Sequence, residues 1–264
     1  MTDEEFLQTA IEAARVAGQI MREQLHQAHQ VRHKGPRDLV TEVDLMTETS
    51  IVRILRARFP GHDILTEEAE APPRRSRYCW VIDPLDGTNN YAHGYPVFST
   101  SVALTLDDEP LVGVVYEPLR DWLFHAQRGD GAYFNGEQLH VSTVEQLGEA
   151  LIGLDWSVDL QTRLQVIAAI ERLAGSVTTM RVAGSAALAP CYVAAGWCDG
   201  YFHLGLKPWD AAAAVLIARE AGGQATALDG HPWRLEDPAC VVSNGLIHEP
   251  LRALIHRVGE AYEP

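Results

Sequence analysis

The chain has 264 residues, of which 47% are hydrophobic and 22% are charged, and these values predict a globular protein long enough to bury a full core. They exclude a fibre and an intrinsically disordered chain. The formal net charge of −15 would repel a phosphate backbone, so we expect no nucleic-acid partner bound through a basic face.

The sequence shows no sign of export or of a membrane anchor. Residues 1–5 are acidic and lack the basic and apolar stretches of a signal peptide, and the longest apolar run, residues 211–218, is too short to span a bilayer. None of the 4 cysteines forms a CxxC pair, and Cys79 and Cys240 lie in apolar runs, which favours free thiols in a reducing compartment. We therefore expect a cytoplasmic protein with no membrane partner.

The first half of the chain, residues 1–145, is predicted to begin with two helices and to continue as an antiparallel sheet. Thr2 or Asp3 can cap a helix whose apolar residues recur at helical spacing as far as Met21. A break at Gly35-Pro36 precedes a second amphipathic helix that ends near Phe59. The predicted strands are residues 64–65, 79–82, 98–106, 110–116, 122–126 and 132–134, with residues 71–77 as a loop.

The second half, residues 146–264, alternates between strand and helix patterns. The predicted strands are residues 151–154, 176–182, 199–204, 224–227 and 239–242. The predicted helices are residues 160–173, 185–195, 209–221 and 246–258. Alternation of this kind predicts an α/β protein built from stacked layers of helix and sheet.

The strongest local signal is the segment 83–88, with the sequence DPLDGT. An apolar strand delivers Asp83 and Asp86 onto a turn that Pro84 stiffens, and Gly87 would let the backbone approach a ligand closely. Two carboxylates with the carbonyl of Leu85 between them are oxygen ligands of the kind that suits Mg²⁺. The alternative interpretation is an Asp-rich turn in which Asp86 caps a helix beginning near Thr88.

Three other acidic elements stand at strand or helix ends. They are residues 38–44, the Thr66-Glu67-Glu68 segment after a strand, and Asp210 at the start of an alanine-rich helix. Each has an ordinary explanation, because an acid at a helix N-terminus complements the helix dipole and the glutamates could lie in a solvated loop. Four such elements in one acidic chain favour a shared site for several metal ions.

Together these elements resemble the inositol monophosphatase family over nearly the whole chain. The matching segments are, in order, residues 38–44, 66–68, 83–90 with the following Tyr91-Ala92-His93, 184–186 and 209–223. The resemblance implies a layered αβαβα sandwich forming a single domain over residues 1–264, with most metal ligands in the first half, and a homodimer.

The resemblance also implies a role for each matching residue. Two Mg²⁺ ions would be held, the first by Glu67, Asp83 and the Leu85 carbonyl and the second by Asp83, Asp86 and Asp210; a weaker third ion would use Glu67 through water. Asp44 and Thr88 would orient and deprotonate the attacking water, with Glu67 also catalytic. The substrate-side residues would be Asp86, Gly87, Thr88, Gly184, Ser185, Ala186, His203 and Asp210.

His203 departs from the family pattern, because inositol-selective relatives commonly have an acidic residue there that accepts a hydrogen bond from a ring hydroxyl. A neutral imidazole could still accept such a bond, whereas a protonated one would favour an anionic substrate end, so we expect its charge to vary between about pH 6 and 8. The alternative is a strand residue satisfied by the backbone. Lys207 and Arg181 are further candidates for contacting a second phosphate, and the alternative for each is a solvated basic side chain.

The function that the resemblance implies is Mg²⁺-dependent hydrolysis of a small phosphate ester by a metal-activated water. Inositol monophosphate is the leading substrate, with fructose 1,6-bisphosphate as a second. The alternatives are a nucleotide-3′-phosphate phosphatase, a histidinol-phosphate phosphatase and a non-catalytic protein that regulates another macromolecule. The matching metal-site residues favour an enzyme, since a binding protein has no chemical need of them.

Overall fold

The computed structural model describes residues 3–27, 31–69 and 73–256. Thr2, residues 71–72 of the predicted loop and residues 257–258 of the predicted last helix lie outside these ranges. None of the described helices is long and apolar enough to cross a membrane.

Helices and strands follow one another along the chain much as the sequence patterns predict. The helices are α1 (Asp3–Gln24), α2 (Glu42–Arg58), α3 (Thr88–Ala92), α4 (Leu160–Leu173), α5 (Leu188–Ala194), α6 (Pro208–Glu220) and α7 (His248–His256). The strands are β1 (Arg32–Gly35), β2 (Asp38–Val40), β3 (Asp63–Thr66), β4 (Tyr78–Asp86), β5 (Ser99–Leu106), β6 (Glu109–Glu117), β7 (Trp122–Gln127), β8 (Ala132–Phe134), β9 (Glu137–Gln138), β10 (Leu151–Leu154), β11 (Thr179–Val182), β12 (Gly200–His203), β13 (Gln224–Thr226) and β14 (Cys240–Ser243).

The first sheet has seven strands in the order β3-β4-β5-β6-β7-β8-β9, antiparallel except for the parallel pair β3 and β4. Helices cover both of its faces, so its strands read as continuous apolar runs rather than alternating ones. In β4, Trp80 and Ile82 face the cluster that includes α1 and α2, whereas Cys79 and Val81 face the cluster that includes α5 and α6.

The second sheet has five strands in the order β11-β10-β12-β14-β13. Strands β10, β11 and β12 are parallel to one another, and β14 is antiparallel to both of its neighbours. One face packs against α4 and α7 through Ile152, Phe202 and Val241, and the other contributes Tyr201 and Val242 to the cluster of α5 and α6. The order of layers is therefore α1/α2, first sheet, α5/α6, second sheet, α4/α7, which confirms the predicted αβαβα sandwich.

Several elements differ from the sequence-based expectation, among them two boundaries of strands and one hairpin. The strand predicted over residues 176–182 begins only at Thr179, because the amides of Ser176 and Val177 still bond to the carbonyl of Leu173 at the end of α4. Strand β4 continues to Asp86 through an irregularity in its register, so Asp83 and Asp86 lie on an extended strand end rather than on a turn. The hairpin β1–β2, which the sequence patterns do not predict, spans residues 32–40.

Candidate active site

A cavity of about 740 Å³ opens where elements of both sheets meet. Four of the acidic residues that line it interact with one another, and we call this group the acidic floor: Glu67, Asp83, Asp86 and Asp210. The predicted site residues Leu85, Gly87, Thr88, Gly184, Ala186 and His203 also line the cavity. Asp44 and Ser185 do not line it themselves, but hydrogen bonds connect Asp44 to Thr88 and Ser185 to Asp86.

The end of β4 buries its two carboxylates almost completely. Asp83 is 2% exposed and Asp86 is 6% exposed. Oδ1 of Asp83 accepts the amide of Leu85 at 3.1 Å, and the side chain of Leu85 is buried in the core. The core thus fixes the strand end, so the two carboxylates hold their places beside the cavity.

Gly87 is the point at which the chain changes from strand to helix. It has φ 89° and is the N-cap of α3, so Asp86 is not the cap that the alternative interpretation proposed. A Cβ at this position would lie 3.0 Å from the carbonyl oxygen of Gly184 and 3.2 Å from that of Val97. Both the left-handed backbone and the close approach require glycine here.

Asp44 and Thr88 are paired, as the resemblance implies. Oγ1 of Thr88 lies 3.0 Å from Oδ1 of Asp44 and 3.0 Å from the carbonyl oxygen of Leu85, so its proton has two acceptors. The other carboxylate oxygen of Asp44 accepts the amide of Thr41 at 2.8 Å and its hydroxyl at 2.6 Å, forming a capping box at the start of α2. The cap holds Asp44 in the orientation that Thr88 needs.

The segment 184–187 holds Asp86 rather than forming a helix. The amides of Ala186 and Ala187 donate to the Asp86 carboxylate at 2.9 and 3.0 Å, and the Ser185 hydroxyl makes a short hydrogen bond to it. Helix α5 begins at Leu188 and not at Ser185 as predicted, and the free amides before it are satisfied by Asp86. Gly184 and Ala186 line the cavity, whereas Ser185 lies outside the lining and donates its hydroxyl to Asp86.

Like charges dominate the acidic floor. Burial raises the pKa of Asp83 well above its usual range, and repulsion by Glu67, Asp86 and Asp210 adds to the effect. Burial likewise raises the pKa of Asp210, although this carboxylate accepts the amide of Lys207 at 2.7 Å. The ammonium of Lys34, on β1, lies 2.8 Å from Glu67. Carboxylates gathered in this way favour a bound cation, because its charge would offset their repulsion.

Comparison with known proteins decides the family. A family model described as the inositol monophosphatase family matches residues 2–260. The chain belongs to the inositol monophosphatase family. It is 42% identical over 222 residues to the Nus factor SuhB of Pasteurella multocida, which covers 82% of this chain and 83% of that protein.

Two further relatives extend the comparison. The chain is 36% identical over 249 residues to a fructose-1,6-bisphosphatase/inositol-1-monophosphatase of Aquifex aeolicus, covering 92% of each. The solved structure of an inositol monophosphatase from Anabaena (Nostoc) sp. PCC 7120 superposes with a TM-score of 0.87 at 35% identity and covers 96% of each chain. Members of this family are metal-dependent phosphatases that hydrolyse phosphomonoesters, and this chain is a phosphatase of that class.

The donor set of the floor fits the metal dependence of the inositol monophosphatase family. All its donors are oxygens, which suit a hard divalent cation. Within the described ranges, no group of three or more histidine, cysteine or acidic side chains has the arrangement of a ready metal site. In the same ranges, Lys34 contacts Glu67, and main-chain amides donate to Asp86 and Asp210.

His203 lines the cavity but cannot act as the expected pH switch. It is 5% exposed, and its Nδ1 accepts the amide of Gly205 at 2.9 Å. Burial lowers the pKa of His203 to about 4. The imidazole is therefore neutral between about pH 6 and 8, and the expectation that its charge varies there is wrong. Arg181 fits the alternative of a solvated side chain, because it is exposed, bonds to Thr179 and Met180 and lies outside the cavity lining.

Asp155 is a cavity residue that the sequence patterns do not single out. It follows β10, is 3% exposed, and accepts the amide of Gly184 at 2.6 Å and the hydroxyl of Tyr201 at 3.4 Å. Burial raises its pKa to about 7. Its position at the carboxyl end of a parallel strand is the signal that could have identified it, because sites in α/β folds lie at those ends.

Proposed function

We propose that this member of the inositol monophosphatase family hydrolyses the monoester of a small polyol or sugar, with inositol monophosphate as the leading substrate, in an Mg²⁺-dependent reaction. The observation that carries the proposal is the convergence of the acidic floor and the Asp44–Thr88 pair on one cavity. The name of the Aquifex relative supports fructose 1,6-bisphosphate as a second substrate.

The residues that would hold Mg²⁺ are those of the floor. One ion would use Glu67, Asp83 and the carbonyl of Leu85, a second would share Asp83 with Asp86 and Asp210, and a weaker third would use Glu67 through water. When bound, these ions would offset the charge of the phosphate dianion and of the departing alkoxide and would lower the pKa of water.

Thr88 and Asp44 would prepare the attacking water. Because the proton of the Thr88 hydroxyl is directed to its acceptors, Asp44 and the Leu85 carbonyl, its lone pairs are available to accept a hydrogen bond from water in the cavity. Asp44 Oδ1 would take up the proton that the water loses. A general base of this kind contributes about 10²–10⁴-fold to the rate.

The remaining matching residues would position the ester. The main-chain amides of Gly87 and Thr88 would bind phosphate oxygens, and Gly184, Ala186 and His203 would line the alcohol side. His203 Nδ1 already accepts the amide of Gly205, so the neutral ring would offer Nε2–H as a donor to a substrate hydroxyl oxygen.

Phosphate release from a panel of esters tests this proposal. Purified protein with Mg²⁺ would be assayed on inositol 1-phosphate, fructose 1,6-bisphosphate, a nucleoside 3′,5′-bisphosphate and histidinol phosphate. We expect the highest kcat/KM on one of the first two, and no release in the presence of a chelator. Preference for either of the last two would reassign the substrate.

The name of the Pasteurella relative, Nus factor SuhB, favours a second candidate, a regulatory protein of transcription. A chain kept only for that role would release no phosphate from any ester in the panel. Binding to purified transcription complexes, compared between wild type and an inactive floor variant, would separate a regulatory role from catalysis.

We also propose that the single domain acts as a homodimer in the cytoplasm. The dimer is what the resemblance to the inositol monophosphatase family implies. All four cysteines are buried and free, which supports a reducing compartment. Analytical ultracentrifugation would measure the mass in solution, and a monomer at micromolar concentration would contradict the dimer.

A further inference from the structure

The cavity lining carries basic as well as acidic residues. Besides the acidic floor it includes four basic residues that we call the basic rim: Lys34, Arg37, Arg163 and Lys207. The ammonium of Lys34 is paired with Glu67 of the floor and with Glu68, so the other three supply the positive charge that remains. The whole chain carries only 21 Lys and Arg against 36 Asp and Glu, so three such cations in one cavity run against the general charge of the chain. Positive charge placed there attracts anions to this part of the surface.

Two arginines of the rim are anchored in the same way. Nε of Arg163 donates to the carbonyl of Ser157 at 2.6 Å, and Nε of Arg37 donates to the carbonyl of the next residue, Val158, at 2.9 Å. In the described part of the chain these are the only hydrogen bonds that either guanidinium makes. Their terminal amino groups therefore make no hydrogen bond to the described residues. Such groups bind phosphate or carboxylate oxygens in pairs.

Arg163 is also held by an aromatic surface. Its guanidinium carbon lies 5.8 Å from the centre of the Trp156 ring, within the range of a cation–π contact. Trp156 lines the same cavity and is 39% exposed. The stacking and the Ser157 bond together restrict the conformations of Arg163, so an anion that binds there loses less entropy than with a free side chain.

The nearest acidic groups compete weakly for these arginines. Asp159 faces Arg37, but its carboxylate caps α4 by accepting the amide and hydroxyl of Thr162 at 2.7 and 2.9 Å. Asp155 is buried and accepts the amide of Gly184. Asp159 interacts electrostatically with Arg37, whereas Arg163 is held against the ring of Trp156, which makes Arg163 the stronger of the two candidate anion ligands.

Arg163 lies beyond the alcohol side of the site. The segment 156–158 packs directly against the end of β12, which carries His203, because a Cβ on Gly205 would clash with Oγ of Ser157. Arg163 in turn bonds to the carbonyl of Ser157, so His203, Ser157 and Arg163 follow one another along this wall. The main chain of Arg37 lies beside Asn89, and its guanidinium reaches the carbonyl of Val158 from that side. A ligand that reaches from floor to rim must extend past the alcohol carbon that carries its reacting phosphate.

We propose that Arg163 and Arg37 form a second anion site, so that the preferred substrate is a phosphate ester whose far end carries another phosphate. The inference rests on the proposed function and, of its two candidate substrates, favours the bisphosphate over the inositol monophosphate that the family resemblance places first. The acidic floor receives the phosphate that is hydrolysed, and the rim holds the one that stays.

The test compares two esters that differ at the far end, fructose 1,6-bisphosphate and inositol 1-phosphate. Arg163→Gln should lower the ratio of their kcat/KM values by about 10–100-fold, mainly through KM for the bisphosphate, as expected for loss of a charge-assisted pair. Arg37→Gln should act in the same direction and more weakly. Raising the salt from about 0.1 to 0.5 M should reduce the wild-type ratio, since screening weakens exposed charge pairs.

Two controls separate charge from folding. Arg163→Lys keeps the charge without the planar fork and should recover part of the ratio, whereas Arg181→Gln removes an exposed arginine outside the cavity and should leave it unchanged. An Arg163→Gln ratio equal to that of wild type, or an equal loss on both esters, overturns the second anion site.

Calorimetric binding of both esters, measured with Ca²⁺ in place of Mg²⁺, gives a readout that does not need turnover. Selective loss of bisphosphate affinity in Arg163→Gln supports the second anion site even if phosphate release fails, and the failure then counts against the proposed function alone. A wild type that binds inositol 1-phosphate at least as tightly as the bisphosphate contradicts the second anion site.

Discussion

The floor and the rim of the cavity are built in opposite ways. The floor carboxylates of β4 and α6 are buried and held by main-chain amides, so their positions are fixed by the core. The rim arginines project from a hairpin turn and from the first turn of α4, and each is held by a single carbonyl. The difference indicates that reaction chemistry belongs to the rigid part, whereas substrate choice can change at the rim without disturbing the core.

The largest loss of activity is expected from a substitution of Asp83 in the acidic floor. Asp83→Asn should lower turnover by more than about 10³-fold, because one carboxylate serves both proposed ions. The variant should unfold at the same or a higher temperature than wild type without metal, since a repelled buried charge is removed. Phosphate release and thermal unfolding would be measured together, with the exposed Asp130→Asn as control. Near-normal turnover in the folded variant would reject the shared-ligand assignment.

Thr88→Ala should come next, with a loss of about 10²–10⁴-fold in kcat. The Mg²⁺ concentration for half-activation should change little, because the hydroxyl is not itself a proposed metal ligand and its contacts are Asp44 and the Leu85 carbonyl, which keeps a second lone pair for the ion. Thr88→Ser restores the hydroxyl and should recover most of the rate. If the alanine variant instead kept its kcat and needed more Mg²⁺, Thr88 would be a metal-site residue.

Loss of Asp155 should have an intermediate effect on activity. It holds Gly184, the start of the segment that holds Asp86, so we regard it as a positioning residue. Asp155→Ala should lower kcat by about 10–100-fold and raise the Mg²⁺ requirement, as removal of a carboxylate behind a ligand does. Asp155→Asn can still accept the Gly184 amide and should be milder, and Tyr201→Phe milder still. Unchanged Mg²⁺ activation in the alanine variant would contradict this role.

The smallest effect concerns stability and pH without metal. The pKa of Asp155 is raised to about 7 in the folded state, against about 3.9 in an unfolded chain, so the folded protein binds the extra proton between these values. Stability should therefore fall as pH rises from about 5 to 8, by a few kcal/mol in all, and level off above the folded pKa. Unfolding temperatures in chelator would show this slope, and it should be shallower in Asp155→Asn. A stability that rises with pH over this range would contradict this prediction.

The sequence predicts the acidic floor better than the basic rim. The layered fold and the floor were accessible because strand patterns and acidic residues coincide locally in segments 83–88 and 66–68. The pairing of Asp86 with residues 185–187 was not, because it joins positions about one hundred residues apart. Arg163 and Arg37 were equally invisible, since an isolated arginine carries no pattern and only folding brings both to consecutive carbonyls.

Local patterns also misjudged the charge of His203. Its sequence neighbourhood resembles any strand end, and only the packing of the second sheet reveals the burial that keeps it neutral. Burial is a property of tertiary structure, so a side chain whose role depends on its protonation cannot be assigned from its neighbours in the chain.

The most direct test of the account is whether the floor binds a divalent cation independently of the rim. Chelator-treated wild type at about pH 8 would be unfolded by heat with increasing Mg²⁺, and saturation at 100 times Kd should add ~2.7 kcal/mol of stability. We predict the same rise in melting temperature for Arg163→Gln and little or none for Asp83→Asn. An equal rise in Asp83→Asn would show that the cation binds elsewhere and would contradict the account.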